Sequence, residues 1–249
     1  MSLQSEFAAA ERAALVTVIA GAPHAKLLVR PDQSVEGTLG SEDLDAAAVT
    51  FAEELMWAER SERREVGDVS LFVDVMAPPP RLIMFGAVDF AGALCRMARA
   101  ADWRPYVIDP RGRFATRERF PDAEEIIVAW PEDAFARIGG IDRATYIAVL
   151  THDPKLDDAA LHLALRSEAA YVGAMGSRRA QEKRRERLLE QGMTEEELAR
   201  VAAPIGLDLG GLTAEETALS IMAEVVAVRN GRSGGRLSGS SGRIHEVGT

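Results

Sequence analysis

Residues 81–117, RLIMFGAVDFAGALCRMARAADWRPYVIDPRGRFATR, decide how this chain is read. Residues 82–85 are a short apolar run suited to a buried strand, Gly86 breaks it, 91–101 carries helical periodicity, and 106–108 is apolar again. Strand, turn, helix and strand in that order form the first unit of a parallel α/β sheet. Asp109 follows Gly86 by 23 positions. That is near the roughly 20-residue spacing at which a dinucleotide fold places the carboxylate for a ribose hydroxyl. The other reading of Asp109 is a turn former ahead of Pro110. The glycine pattern is poorer, because G-x-G-x-x-G is replaced by Gly86-Ala87-Val88-Asp89-Phe90-Ala91. Val88 puts a branched side chain, and Asp89 a negative charge, where a backbone must approach a pyrophosphate. Both weaken an NAD(P) site.

The chain has 249 residues, 47% of them hydrophobic, enough for one large or two modest domains with a real core. A net charge of -10 repels phosphate backbones, which argues against nucleic acid as the main partner and requires any anion site to be local. A single cysteine, Cys95, excludes a disulfide framework and a multi-thiolate metal site and suits a reducing cytosol. Its helical neighbours Ala91, Leu94 and Ala98 mark it as a core residue. The four histidines have no ligand spacing, no run reaches the roughly 18 residues of a membrane span, and the N-terminus lacks a basic lead before an apolar core. The expectation is a cytoplasmic, unprocessed protein.

Outward from the opening stretch, Pro78-Pro79-Pro80 is a stiff linker, since proline neither joins a helix interior nor donates to a central sheet. Before it, residues 1–77 form a small α+β unit: strands within 15–19, 26–30 and 69–75, and a helix over 42–60. After it, residues 81–231 alternate strands near 82–85, 106–108, 125–128, 145–150, 170–172 and 205–207 with helices near 91–101, 132–138, 156–167, 178–191 and 214–229. That alternation predicts a Rossmann-like, doubly wound parallel sheet, which binds ligands at the carboxyl ends of its strands. Thr194 with Glu197 and Thr213 with Glu216 fit the capping box, and the last helix is expected to bury Ala218, Ile221, Met222, Val225 and Val228. Residues 232–249 are a Gly/Ser-rich tail, flexible on its own.

Two loops on the expected binding edge carry candidate groups. Thr151-His152-Asp153-Pro154-Lys155 follows a strand, so His152 is a proton donor or polar ligand contact and Asp153 a helix cap; a plain loop with a cap is the competing reading. Gly173-Ala174-Met175-Gly176-Ser177-Arg178-Arg179 joins a strand to a helix. Gly173 and Gly176 permit close approach, while Ser177, Arg178 and Arg179 supply donors for a phosphate at the helix N-terminus. The competing reading is a glycine turn and serine cap ahead of a solvated basic helix, in which Lys183, Arg184, Arg185 and Arg187 interleave with glutamates. No catalytic constellation, P-loop or metal cluster stands out.

Five segments resemble the XdhC/CoxI family of xanthine dehydrogenase accessory proteins: 111–128 (RGRFATRERFPDAEEIIV), 149–158 (VLTHDPKLDD), 171–188 (YVGAMGSRRAQEKRRERL), 203–231, and the tail GRIHEV. The resemblance implies a Rossmann-like domain that binds molybdenum cofactor, protects it and delivers it to an apo molybdenum hydroxylase. It also implies a homodimer and contact with a cysteine desulfurase. No turnover by the protein itself is required, and the pterin phosphate is expected on the 173–179 loop, with Gly86, Asp109, His152 and Asp153 along the same edge. The family's loop looks like G-A-G-H-V-G, so Val88 and Asp89 replace a glycine and a histidine. Ser41-Glu42-Asp43 and Glu65-Val66-Gly67 stand where the family carries cysteines. An NAD(P)-dependent oxidoreductase is the alternative, and a ligand-free partner-binding module a third.

Overall fold

Residues 2–239 are described by a computed structural model. The chain divides between Pro78 and Pro79, inside the triple proline; the second unit runs to Gly235 and residues 236–239 group with the first. The described part of the expected tail is therefore shared between the units. GRIHEV lies outside the described residues.

The first unit consists of α1 (Leu3–Ala9), β1 (Ala13–Ala20), β2 (Lys26–Val29), β3 (Val35–Thr38), α2 (Glu42–Ala58), β4 (Glu62–Val66) and β5 (Val69–Met76). Its antiparallel sheet has the order β3-β2-β1-β5-β4. β1 is apolar at successive positions because both its faces are covered. Val16 and Val18 pack with Ala48, Ala52 and Leu55 of α2, whereas Ala13 and Leu15 meet Phe7 of α1. Sequence reading finds neither β3 nor β4. β3 is exposed at all four positions, and β4 reads Glu-Arg-Arg-Glu-Val, with Arg64 paired to Glu54 and Glu62, so neither carries an apolar alternation.

The second unit is α/β: β6 (Arg81–Phe85), α3 (Asp89–Ala100), β7 (Arg104–Ile108), β8 (Glu125–Ile127), α4 (Pro131–Ile138), β9 (Thr145–Val149), α5 (Pro154–Leu165), β10 (Tyr171–Ala174), α6 (Arg178–Glu190), α7 (Glu195–Leu198), β11 (Val201–Ala202) and α8 (Ala214–Arg229). Its six strands are parallel in the order β11-β10-β9-β6-β7-β8. This is the doubly wound order of a dinucleotide-binding fold, in which the chain leaves β6 to one side, returns, and continues on the other. Strand side chains alternate faces. Leu82 and Met84 join Ala91, Leu94, Cys95 and the α8 residues Ala218 and Ile221, while Ile83 and Phe85 join Leu161 and Leu165 of α5. Fully burying a Leu, Ile, Met or Phe contributes roughly 1.5–3 kcal/mol, so these four residues anchor both layers to the central strand.

Two expectations fail here. The last strand is Val201–Ala202 rather than 205–207: Gly206 takes φ +101, and of the expected stretch only Ile205 reaches β10, its N–H donating to Ala174 O at 3.1 Å. Val228 is 43% exposed on α8, whose inward stripe of Ala218, Ile221, Met222 and Val225 meets α3 without it. Both capping boxes form as expected, at Thr194 and Thr213. No helix among the described residues is long and apolar enough to cross a membrane.

Candidate functional site

The strand order reverses between β6 and β9, so the crevice lies where the loops leaving these strands diverge. Gly86 ends β6 with φ +119, and its N–H donates to Ile108 O at 2.8 Å. A Cβ there would lie 2.4 Å from Thr151 Cγ2, so the glycine is what lets the two loops meet. Val88 precedes α3 and offers no side-chain cap to it. Asp89 points outward, 97% exposed, and pairs with Arg119 at 2.8 Å. The negative charge expected to disturb this loop is thus neutralised from the loop after β7.

Asp109 is fully buried at the end of β7. Its Oδ2 accepts from Ala87 N–H at 2.9 Å and Arg111 Nη2 at 2.7 Å, and its Oδ1 from Arg111 N–H and Nε, both at 2.9 Å. Burial alone would raise this carboxyl, but the bonds from Arg111 and Ala87 outweigh it and hold it below the ordinary carboxylate range. Of the two readings of Asp109, the turn former is the one with partners in the structure. Arg119 fastens the same loop to the glycine turn, since its Nη1 donates to both Ala87 O and Phe114 O at 2.9 Å.

On the β9 side Thr151 is buried; its hydroxyl donates to Asp157 and accepts from Asp153 N–H at 3.1 Å. His152 is exposed and has no hydrogen bond among the described residues. Asp153 caps α5 by accepting from Lys155 N–H at 3.0 Å, and its charge also acts on Arg111 across the crevice. The loops after β7 and β9 therefore face one another.

The 173–179 stretch divides into unlike halves. Gly173 lies within β10, and a Cβ there would fall 2.6 Å from Ile205 Cδ1 and 2.5 Å from the Tyr171 hydroxyl oxygen. Its open side is filled by protein. Gly176, with φ +131, makes the turn into α6, and Ser177 caps that helix by accepting from Ala180 N–H at 3.3 Å. Arg178 and Arg179 are exposed and have no ion pair among the described residues. The rest of α6 is solvated at Glu182, Lys183, Arg185 and Glu186, as its charges suggest, but two of its arginines turn to the protein. Arg184 is buried and donates to Asp157 at 2.8 Å and Met175 O at 3.0 Å, and Arg187 forks onto Asp158 at 2.7 and 2.9 Å.

Sequence reasoning misses Arg111, Arg119, Thr151, Asp157 and Arg184. The acid has a signal: Asp157 shares a helical face with Ala160, Leu161 and Ala164, where a charge needs a buried partner. Two more groups that it passes over are Arg113 and Lys155, exposed cations with no ion pair among the described residues. Lys155 borders an open groove of about 660 Å³ between α4, α5 and α6, which Asp158, His162 and Arg187 also line. Cys95 packs in the core as expected, and burial pushes its thiol up to about 12. Among the described residues no group of three or more His, Cys, Asp or Glu is placed to hold a metal ion.

Comparison with known proteins agrees with this architecture. The XdhC Rossmann domain model matches residues 82–225, and the XdhC and CoxI family model matches residues 7–67. A protein of Bacillus subtilis named as a probable component of xanthine dehydrogenase is 28% identical over 160 residues, which cover 64% of this chain and 46% of that protein. The molybdenum cofactor insertion chaperone PaoD of Escherichia coli is 29% identical over 152 residues, covering 61% and 41%. The chain thus spans less than half the length of these curated relatives. A crystal structure of a protein named as a xanthine dehydrogenase from Bacillus halodurans shares the fold, with TM-score 0.62 and 24% identity over 96% of this chain and 65% of that one. With both family models matched in order along its length, the chain belongs to the XdhC and CoxI family.

Proposed function

We propose that this protein is an accessory factor that holds molybdenum cofactor by its phosphate and hands it to an apo molybdenum hydroxylase. It would act in the cytoplasm, as a homodimer, with a cysteine desulfurase as a further partner, and without turnover of its own. The observation that carries this reading is the placement of unpaired charge. In a chain of net charge -10, Arg113, Lys155, Arg178 and Arg179 are exposed cations without ion pairs among the described residues, and all four follow the carboxyl ends of β7, β9 and β10. Arg178 and Arg179 open α6, where the helix dipole also favours an anion. His152 and Asp153 border the same edge from the neighbouring loop. The names of two relatives, one a molybdenum cofactor insertion chaperone and the other a xanthine dehydrogenase component, suggest which phosphate ligand this is. The nicotinamide reading is weaker, because the Asp109 carboxylate that would take a ribose already accepts four hydrogen bonds from the protein.

The test is pterin retention. The purified protein is incubated with molybdenum cofactor and desalted, and the bound pterin is oxidised and read by fluorescence. The wild type should retain close to one equivalent per site, and the Arg178→Ala, Arg179→Ala double variant should lose most of it. Equal retention by the variant would remove the phosphate from α6.

A further inference from the structure

The loop after β7 gathers three guanidinium groups around one ring. The Cζ atoms of Arg111, Arg113 and Arg119 lie 4.9, 4.6 and 5.8 Å from the Phe114 centroid. Two of these charges are spoken for. Arg111 forks onto Asp109, and Arg119 pairs with Asp89 while bonding Ala87 O and Phe114 O. Arg113 is exposed and has no anion beside it among the described residues, yet its planar head lies over the ring. A flat cation backed by an aromatic ring and open to solvent is a platform for a second flat π-system. Its position suits that use, because the Arg119 bonds set Phe114 alongside the glycine turn at the switch point.

The sheet supplies the scale. β7 and β10 are three strand spacings apart, with β6 and β9 between them. At about 4.8 Å per spacing the loops after β7 and β10 are roughly 14 Å apart, on the order of the length of a fused heteroaromatic ring carrying a phosphate on a short arm. We infer that Arg113 and Phe114 form a ring-stacking subsite, so that a ligand whose phosphate is held at Ser177–Arg179 lays its planar heterocycle on the Arg113 guanidinium. This rests on the proposed phosphate site and adds the opposite end of the ligand.

A heteroaromatic ring can come from a pterin or a nucleobase, so the experiment has two arms: neopterin monophosphate and AMP, each titrated calorimetrically into the full chain. Arg113 is exposed, so its variants are expected to keep the wild-type melting curve, and circular dichroism checks this. Arg113→Ala should weaken neopterin monophosphate roughly tenfold. Arg113→Lys should weaken it nearly as much, because the charge remains but the plane is gone. Arg178→Ala with Arg179→Ala should weaken the monophosphate and leave unphosphorylated neopterin unaffected. If both Arg113 variants bind like the wild type, the stacking subsite is overturned while the phosphate reading stands. If AMP alone binds and depends on Arg113, the subsite stands and the pterin reading falls. If the wild type binds neither probe, both fall.

Discussion

The two sides of the crevice each hold a buried aspartate against an arginine, and the two pairs are built differently. Asp109 and Arg111 are two residues apart in a turn, the guanidinium is 41% exposed, and two backbone N–H groups share the carboxylate. Asp157 and Arg184 come from different helices, are 2% and 7% exposed, and the acid's other partner is a hydroxyl. Their carboxyls move in opposite directions. Asp109 is held down, since Arg111 and backbone dipoles more than offset its burial; Asp157 is raised, since burial outweighs Thr151 and Arg184. One pair finishes a strand locally, and the other ties the loop after β9 to the loop after β10. The carboxyl edge is thus fixed by a short-range lock on one side and a long-range buried bridge on the other.

The sharpest way to break this contrast is at Arg184. Arg184→Met keeps much of the volume and leaves Asp157 buried without its cation, which should cost roughly 3–5 kcal/mol at pH 7 by denaturant unfolding. A carboxyl whose folded value is raised favours the folded state at low pH, and that contribution is lost as pH rises through the raised value. The Arg184→Met deficit should therefore grow from pH 4 to pH 7, and adding Asp157→Asn should recover most of it. A small deficit, independent of pH, would show that the bridge does not hold the edge.

How far the sequence reaches follows the same division. The parallel sheet, its order of elements and both capping boxes are written in local patterns: apolar runs, a proline linker, threonines three residues ahead of glutamates. Asp109 is visible because a strand end and a proline bracket it. Arg184 is not, because its neighbours on α6 are charged and what buries it is α5, some 27 residues away. Asp89 misleads for a related reason, its counter-charge being Arg119, 30 residues on. Ile205 misleads because an isoleucine covering a glycine and one inside a strand leave the same local trace. Pairings that cross the fold leave no period in the chain.

The second prediction concerns Asp109. Asp109→Asn removes a charge that accepts from Arg111 and two N–H groups, and should cost about 2 kcal/mol at neutral pH. A carboxyl held low stabilises the fold above its unfolded value, near 3.9, and that contribution is lost as pH falls through the lowered folded value. The gap between wild type and variant should therefore close on acidification only below about pH 4, whereas the Arg184→Met deficit already shrinks between pH 7 and pH 4. Unfolding midpoints from pH 7 to pH 3 would separate the two; a gap of constant size would mean that the carboxylate's charge is not what stabilises the turn.

The smallest effect belongs to Arg111→Ala. The guanidinium is partly in water, which can take over two of the donors on Asp109, while the N–H groups of Ala87 and residue 111 remain. With the cation 41% exposed and two N–H donors left on the buried carboxylate, the loss should be about 1 kcal/mol, so thermal unfolding should shift by only a few degrees. What should change more is the ligand. An Asp109 relieved of its side-chain partner has free acceptors beside the glycine turn, where a ribose hydroxyl would sit in a dinucleotide fold. If Arg111 is what closes this acid to nucleotides, Arg111→Ala should gain weak, saturable NADH binding that the wild type lacks, read by the change in nicotinamide fluorescence. If stability falls as far as in Arg184→Met, the local lock holds the edge as firmly as the buried bridge, and the contrast between the two sides disappears.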